Sequence, residues 1–135
     1  MLMGYVEFFK AMQGDAVEWE FRGFELLLER CEKGQGSLVL TGHSGAWELM
    51  GLAASRDLGL PITVIVRQPA SESVRARLET LRRRIGLEVL SPSGSFFRAA
   101  KAYDQGRVVV FLLDQRHNKG EPLQFFGRPA WTSRG

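Results

Sequence analysis

A short β-branched and apolar run that ends in a glycine-rich turn most strongly constrains how this chain folds. Residues 38–42 read Leu-Val-Leu-Thr-Gly, His43 follows directly, and a helical pattern begins near Trp47. A parallel strand that turns into a helix places the turn at the carboxyl edge of its sheet, where open α/β folds bind their ligands. The sequence therefore predicts an α/β fold with a candidate site around His43.

An acidic residue follows this histidine at a useful distance. Glu48 comes five positions after His43 and falls in the first turn of the predicted helix. A carboxylate that fixes one imidazole nitrogen leaves the other free to take a proton from a hydroxyl group, as a general base does. We therefore predict that His43 and Glu48 form a catalytic dyad.

The remaining apolar runs alternate with helical patterns. Strands are expected at residues 62–66, 87–90 and 108–113, and helices at 49–58, 71–85 and 95–104. This alternation indicates a mainly parallel sheet with right-handed crossover helices, in which the carboxyl ends of the strands meet at one edge. Arg67, Asp114 and Gln115 each follow a predicted strand, so we expect them at the same edge as His43.

Two of the predicted helices carry apolar stripes. Residues 15–18 resemble a capping box, which predicts a helix from Asp15 to about Lys33 that covers the sheet; its stripe is Val17, Phe21, Phe24, Leu28 and Cys31. The stripe of the 71–85 helix is Val74, Leu78, Leu81 and Ile85. Arg82 flanks the second stripe and is expected to reach a site at the edge of the core, whereas Arg83 should point away.

Length and composition indicate one soluble domain. The 135 residues are 44% hydrophobic and 24% charged, with a net charge of +3 and a cluster of arginines between residues 75 and 84. Such a cluster suits phosphates, anionic lipid headgroups or an acidic carrier protein, and no nucleic-acid partner is expected. The single cysteine, Cys31, excludes an internal disulfide. No apolar run is long enough to span a membrane.

The glycine-rich turn is compatible with two other kinds of site. The order Gly42-His43-Ser44-Gly45-Ala46 resembles the nucleophile elbow of a serine esterase, with Ser44 as nucleophile, but an elbow follows several strands and residues before 37 look helical. His43, Glu48 and His117 could ligate a metal, although their spacing matches no established pattern. Neither a metal nor a cofactor is expected.

Four ordered blocks resemble the bacterial lipid A biosynthesis acyltransferases, the lauroyl and myristoyl transferases. Thr41-Gly42-His43-x-Gly45-x-Trp47-Glu48 is similar to the His-x4-acid motif of that family, and residues 62–67 to its following strand and arginine. Residues 82–86 resemble the end of its arginine-bearing helix, and residues 113–115 with 125–135 its later blocks. The resemblance runs from about Phe21 to Gly135.

This resemblance implies transfer of a fatty acyl group from an acyl carrier protein thioester to a hydroxyl of a lipid A precursor-like glycolipid or a lysophospholipid. It implies that His43 is the general base, that Glu48 assists it, and that Arg82 and Asp114 also lie in the site. Arg67 and Gln115 are the expected substrate-binding residues. The alternatives are a serine esterase or a non-catalytic module that binds lipid or carrier.

The same resemblance implies where the protein works and how it is organised. It implies a membrane-surface enzyme at the cytoplasmic face of the bacterial inner membrane. Residues 1–14 are expected to form an amphipathic segment and residues 15–135 a single, partial α/β core of a glycerolipid-acyltransferase-like domain. Family members have an N-terminal membrane helix and a longer C-terminal part, so we expect this chain to be truncated.

Overall fold

The computed structural model of the protein describes residues 19–44, 46–67, 69–84, 86–115 and 120–132. The elements in chain order are α1 (Glu25–Glu32), β1 (Ser37–Thr41), α2 (Trp47–Arg56), β2 (Ile62–Ile65), α3 (Glu72–Arg84), β3 (Glu88–Leu90), α4 (Phe96–Asp104), β4 (Val108–Leu112), β5 (Glu121–Phe125) and β6 (Arg128–Thr132).

A four-stranded parallel sheet forms the centre of the fold. Its strand order is β1-β4-β2-β3, and all three neighbouring pairs are parallel. The predicted α/β class is confirmed, and the predicted strands agree with the observed ones within one residue at each end. Because the strands are parallel, all their carboxyl ends lie at one edge, called here the carboxyl edge.

The two inner strands are the most apolar because both of their faces are covered. On one face Val64 of β2 and Val108 of β4 pack with Ala54, and the partly buried Phe24 and Trp47 contact this cluster from α1 and α2. On the other face Val109 packs against α4; the buried members of that cluster are Leu90, Ala99, Ala102 and Val109. Helices on both faces of a parallel sheet bury β-branched runs of this kind.

A partly buried network of hydrogen bonds connects the amino ends of β2, β3 and β4. The Nε of Arg107 donates to Thr63 Oγ1 at 2.6 Å, and its Nη2 donates to the carbonyl of Ile62 at 2.8 Å. The Thr63 hydroxyl in turn donates to Glu88 Oε2 at 2.9 Å. Thr63 is fully buried, and these bonds replace the hydrogen bonds to water that its hydroxyl group loses on burial.

The predicted helix over 15–33 begins later than expected. Residues 15–18 lie outside the described residues, and residues 19–24 are not helical; α1 begins at Glu25. Gly23 has a φ of +77°, a left-handed conformation that a helix cannot contain. The expected packing is confirmed for the remainder of the stripe, because Phe24, Leu28 and Cys31 contact the core.

The predicted stripe of α3 is confirmed only in part. Leu78 is buried and packs with Leu49 and Leu52 of α2. Val74 is half-exposed, contrary to the prediction, because it lies in the first turn of α3 and outside this leucine cluster. The side chain of Leu81 and residue Ile85 lie outside the description.

The hairpin of β5 and β6 was not predicted from the sequence. The two strands pair antiparallel in a separate sheet, joined by Phe126 and Gly127 with φ of 49° and 74°. Two successive positive φ values are typical of a tight hairpin turn. Phenylalanine is an unusual residue in this conformation, which is why the turn signal was weak.

Two further predictions concern the amino-terminal residues 1–14 and the absence of a membrane-spanning segment. Residues 1–14, the predicted amphipathic segment, lie outside the described residues, and the division of the chain at residue 15 stays a prediction. In the parts of the chain that the structure describes, no helix combines the length and the apolar character needed to cross a membrane.

Candidate active site

The register of β1 and β4 sets His43 opposite Asp114. Thr41 and Leu112 are paired at the ends of these adjacent strands, and the ladder continues with a bond from Leu113 N–H to the carbonyl of Thr41 at 3.0 Å. His43 and Asp114 each lie two residues beyond this pair. The backbone alone therefore brings the two residues together at the carboxyl edge, as expected for both.

Asp114 holds His43 by two hydrogen bonds. Its Oδ1 lies 2.7 Å from His43 Nδ1, and its Oδ2 accepts the backbone N–H of His43 at 2.7 Å. The pKa of Asp114 is lowered, chiefly by the hydrogen bond from the His43 side chain and next by the backbone bond. An ionised carboxylate only accepts hydrogen bonds, so Nδ1 carries a proton, and in the neutral imidazole Nε2 then has the lone pair.

Two neighbours shape the space around this pair. A Cβ added to Gly42 would lie 3.0 Å from Asp114 Cγ and 3.1 Å from its Oδ2, so a side chain here would push the carboxylate away by a few tenths of an ångström. The ring of Trp47, the first residue of α2, meets the imidazole edge to face with centroids 6.1 Å apart. The imidazole is largely enclosed, with 18% of the side chain exposed.

The predicted pairing of His43 with Glu48 is wrong in its geometry. Glu48 lies in the first turn of α2 as expected, but it is buried, and within the described part of the chain its carboxylate makes no hydrogen bond to His43. Asp114 occupies Nδ1 because its strand is the direct neighbour of β1. A catalytic role for Glu48 stays a prediction.

Arg82 does not join His43 at the carboxyl edge. It lies in the last turn of α3, and its carbonyl accepts the N–H of Leu87, directly before β3. It lines a surface cleft with Glu88 and Arg107, which stand at the amino ends of their strands. Helix α3 runs antiparallel to the strands and carries Arg82 to the opposite edge, about 17 Å from the carboxyl edge by the length of a five-residue strand.

The two predicted substrate-binding residues, Arg67 and Gln115, lie at the expected carboxyl edge. Arg67 follows β2 by two residues and Gln115 follows Asp114, and both are exposed. Ser44 is also exposed and makes no hydrogen bond to His43 among the described residues. No grouping of three metal-binding side chains occurs in the described ranges, and His117 lies outside them.

A comparison with models of protein families identifies the family of this chain. The family model described as bacterial lipid A biosynthesis acyltransferase matches residues 1–135. The chain belongs to this family. The search of curated proteins finds no significant match. The protein is therefore an acyltransferase of lipid A biosynthesis, and its substrates are an acyl donor and a lipid acceptor.

In this lipid A biosynthesis acyltransferase, the pairing of His43 with Asp114 is the feature that sequence reasoning did not reach. The position of Asp114 after the strongest predicted strand was the available signal, and it located the residue at the correct edge. The adjacency of β1 and β4 was not readable, because a parallel sheet of four strands permits several orders. Gly42 gave no signal beyond the turn itself.

Proposed function

We propose that the protein transfers a fatty acyl group from an acyl carrier protein thioester to a hydroxyl of a glycolipid acceptor resembling a lipid A precursor. His43 is the general base of this proposal, and Asp114 is the residue that orients it. The observation that carries the proposal is the 2.7 Å contact between Asp114 Oδ1 and His43 Nδ1, which leaves Nε2 as the basic nitrogen.

The chemistry follows from this arrangement. Nε2 takes the proton of the acceptor hydroxyl as its oxygen attacks the thioester carbonyl carbon, and the carbonyl oxygen gains the negative charge. The tetrahedral intermediate collapses, the carbon–sulfur bond breaks, and the imidazolium returns its proton to the departing thiolate. An ester and a free carrier thiol result. The Asp114 carboxylate stabilises the imidazolium between the two proton transfers.

Glu48 keeps a proposed role in the same reaction. The His-x4-acid spacing that it completes is matched in this sequence, and its position in the first turn of α2 places a carboxylate near the start of the helix that follows His43. Because Asp114 already holds Nδ1, Glu48 is proposed to act on the acceptor or on the position of α2, and not on the tautomer of His43.

Substrate binding is proposed at the exposed residues of the carboxyl edge. Arg67 offers a guanidinium to a phosphate of the acceptor or to the developing oxyanion, and Gln115 offers an amide beside Asp114. A lysophospholipid could supply the same phosphate and hydroxyl groups as a glycolipid. The acceptor is a lipid, so we place the enzyme at the cytoplasmic face of the inner membrane, where an acyl carrier protein can reach it.

Acyl transfer from a radiolabelled acyl carrier protein to a panel of glycolipids and lysophospholipids tests this proposal. We expect transfer to one acceptor class, and we expect His43→Ala to lower the rate about 10²- to 10⁴-fold, the usual contribution of a general base. Ser44→Ala is the matched control, and we expect it to retain activity. Equal activity of His43→Ala and the unchanged protein would refute the proposal, and loss in Ser44→Ala would favour a serine esterase.

A further inference from the structure

The carboxyl edge that carries His43 also presents a pair of exposed aromatic side chains. Phe96 and Phe97 begin α4, and they are 76% and 82% exposed. Their rings meet edge to face with centroids 5.6 Å apart. The buried side of α4 is formed by Ala99 and Ala102, so both phenylalanines lie outside the core.

The position of this pair follows from the topology. Helix α4 comes after β3, which ends at Leu90, so its first turn lies at the carboxyl edge. Strands β1 and β3 are the outer strands of the sheet, three strand spacings or about 14 Å apart. Leu113, just beyond β4, and Val74, in the first turn of α3, add partly exposed apolar surface at the same edge.

An arginine accompanies the aromatic pair. Arg67 is exposed beyond β2, the strand next to β3. Arg98, next to Phe97, lies toward the opposite edge, because its guanidinium contacts Glu88 at the amino end of β3 at 3.7 Å. Aromatic rings favour the headgroup region of a bilayer, and arginines are attracted to anionic headgroups. Their combination at one edge therefore matches the chemistry of an anionic membrane surface.

We infer that this edge docks on an anionic lipid bilayer, with Phe96 and Phe97 inserted at the level of the headgroups and Arg67 on a lipid phosphate. The inference rests on the proposed function in one respect, since it turns His43 toward the surface at which a lipid acceptor presents its hydroxyl. It specifies which face of the enzyme meets the membrane.

Vesicle binding tests the docking surface without reference to activity. The probe is phosphatidylethanolamine vesicles with and without phosphatidylglycerol, and binding is followed by co-sedimentation. We expect Phe96→Ser and Phe97→Ser each to weaken binding about tenfold, because each removes one inserted aromatic side chain. We expect Arg67→Gln to weaken it about fivefold, and only when phosphatidylglycerol is present.

Leu38→Ser is the matched control, because Leu38 is also a large apolar residue, 63% exposed, and lies near the amino end of β1. It should bind vesicles as the unchanged protein does. Direct insertion is measured with Phe97→Trp and Leu38→Trp in vesicles of bromine-labelled phospholipid. We expect strong additional quenching for the tryptophan at 97 and none for that at 38.

Some outcomes separate this inference from the proposed function. Phe97→Ser should transfer acyl groups normally to an acceptor dispersed in detergent and poorly to the same acceptor in vesicles. Unchanged vesicle binding in both phenylalanine variants, or no vesicle binding by the unchanged protein, would overturn the docking surface even if acyl transfer requires His43.

Discussion

The Asp114 carboxylate accepts two hydrogen bonds from His43, one from the side chain and one from the backbone N–H. Both distances are 2.7 Å, so the carboxylate fixes the ring orientation and the protonated nitrogen together. We expect the nitrogen NMR spectrum of His43 to show a protonated Nδ1 and an unprotonated Nε2. In Asp114→Asn we expect a mixture of tautomers, whereas Glu48→Gln should leave the spectrum unchanged. An altered tautomer in Glu48→Gln alone would contradict the pairing.

The same contact predicts how stability depends on pH. The folded pKa of Asp114 is lowered, so its contribution to stability is complete above the pKa of an unfolded aspartate, about 3.9, and is lost as the pH falls through the lowered value. We therefore expect the difference in free energy of unfolding between the unchanged protein and Asp114→Asn to shrink as the pH falls below about 4. Urea unfolding across this range measures it. A difference that persists unchanged into strong acid would contradict the assignment.

Gly42 is required for space beside Asp114. In Gly42→Ala the new Cβ would meet the Asp114 carboxylate at 3.0–3.1 Å and shift it by a few tenths of an ångström, which lengthens its 2.7 Å bonds to His43. We expect a fall in acyl-transfer rate of at least about tenfold, with the fold retained. Gly51→Ala is the matched control, since its Cβ would meet only Leu87 at 4.0 Å; within α2 it should be neutral or stabilise by up to about 1 kcal/mol. Normal transfer by Gly42→Ala would show that the carboxylate can move without loss.

Arg82 and Arg83 are neighbours with different environments. Arg82 is 5% exposed at the opposite edge from His43, whereas the Arg83 side chain is 79% exposed and pairs with Glu79 at 2.9 Å. We expect Arg82→Met to lower the free energy of unfolding by roughly 1–3 kcal/mol and Arg83→Met by less than about 0.5 kcal/mol, since exposed ion pairs contribute little. Denaturant unfolding measures both. A fully stable Arg82→Met that has lost acyl transfer would instead support the predicted place of Arg82 in the active site.

The network at the amino ends of the strands should stabilise the sheet without serving the reaction. Arg107→Lys removes the forked contact with Thr63 and Ile62, and we expect it to lower the free energy of unfolding by about 1–3 kcal/mol. Arg98→Lys, at the exposed 3.7 Å contact with the same Glu88, is the control and should change stability little. Both variants should transfer acyl groups to a detergent-dispersed acceptor at the normal rate. A specific loss of rate in Arg107→Lys would contradict this division.

The strands of the parallel sheet and its crossover helices were predictable because each depends on a local pattern. The run of β-branched residues in β2 and the glycine after α4 fix strand and helix boundaries through local physics. The carboxyl-edge position of His43, Arg67 and Asp114 followed, since it needs only parallel strands. The start of α1 at Glu25 did not follow, because the capping pattern at residue 15 does not reveal the left-handed conformation of Gly23.

The partner of His43 could not be predicted because it depends on strand order. Glu48 is close to His43 in sequence, and local reasoning favours such pairs. Asp114 is 71 positions away and comes into contact only because β4 lies beside β1. The helix direction that carries Arg82 to the far edge was implicit in the alternating pattern, but the flanking position of Arg82 on its stripe gave no information about which end of the sheet it reaches.

Single-turnover acyl transfer tests the central claim most directly. The unchanged protein, His43→Ala, Asp114→Asn and the double variant are compared with one acyl carrier protein thioester and a detergent-dispersed glycolipid acceptor. Because the two residues act as a unit, we expect each single variant to lose about 10²- to 10⁴-fold in rate and the double variant to lose no more than His43→Ala. Normal transfer by Asp114→Asn, or losses that multiply in the double variant, would contradict the claim that Asp114 acts through His43.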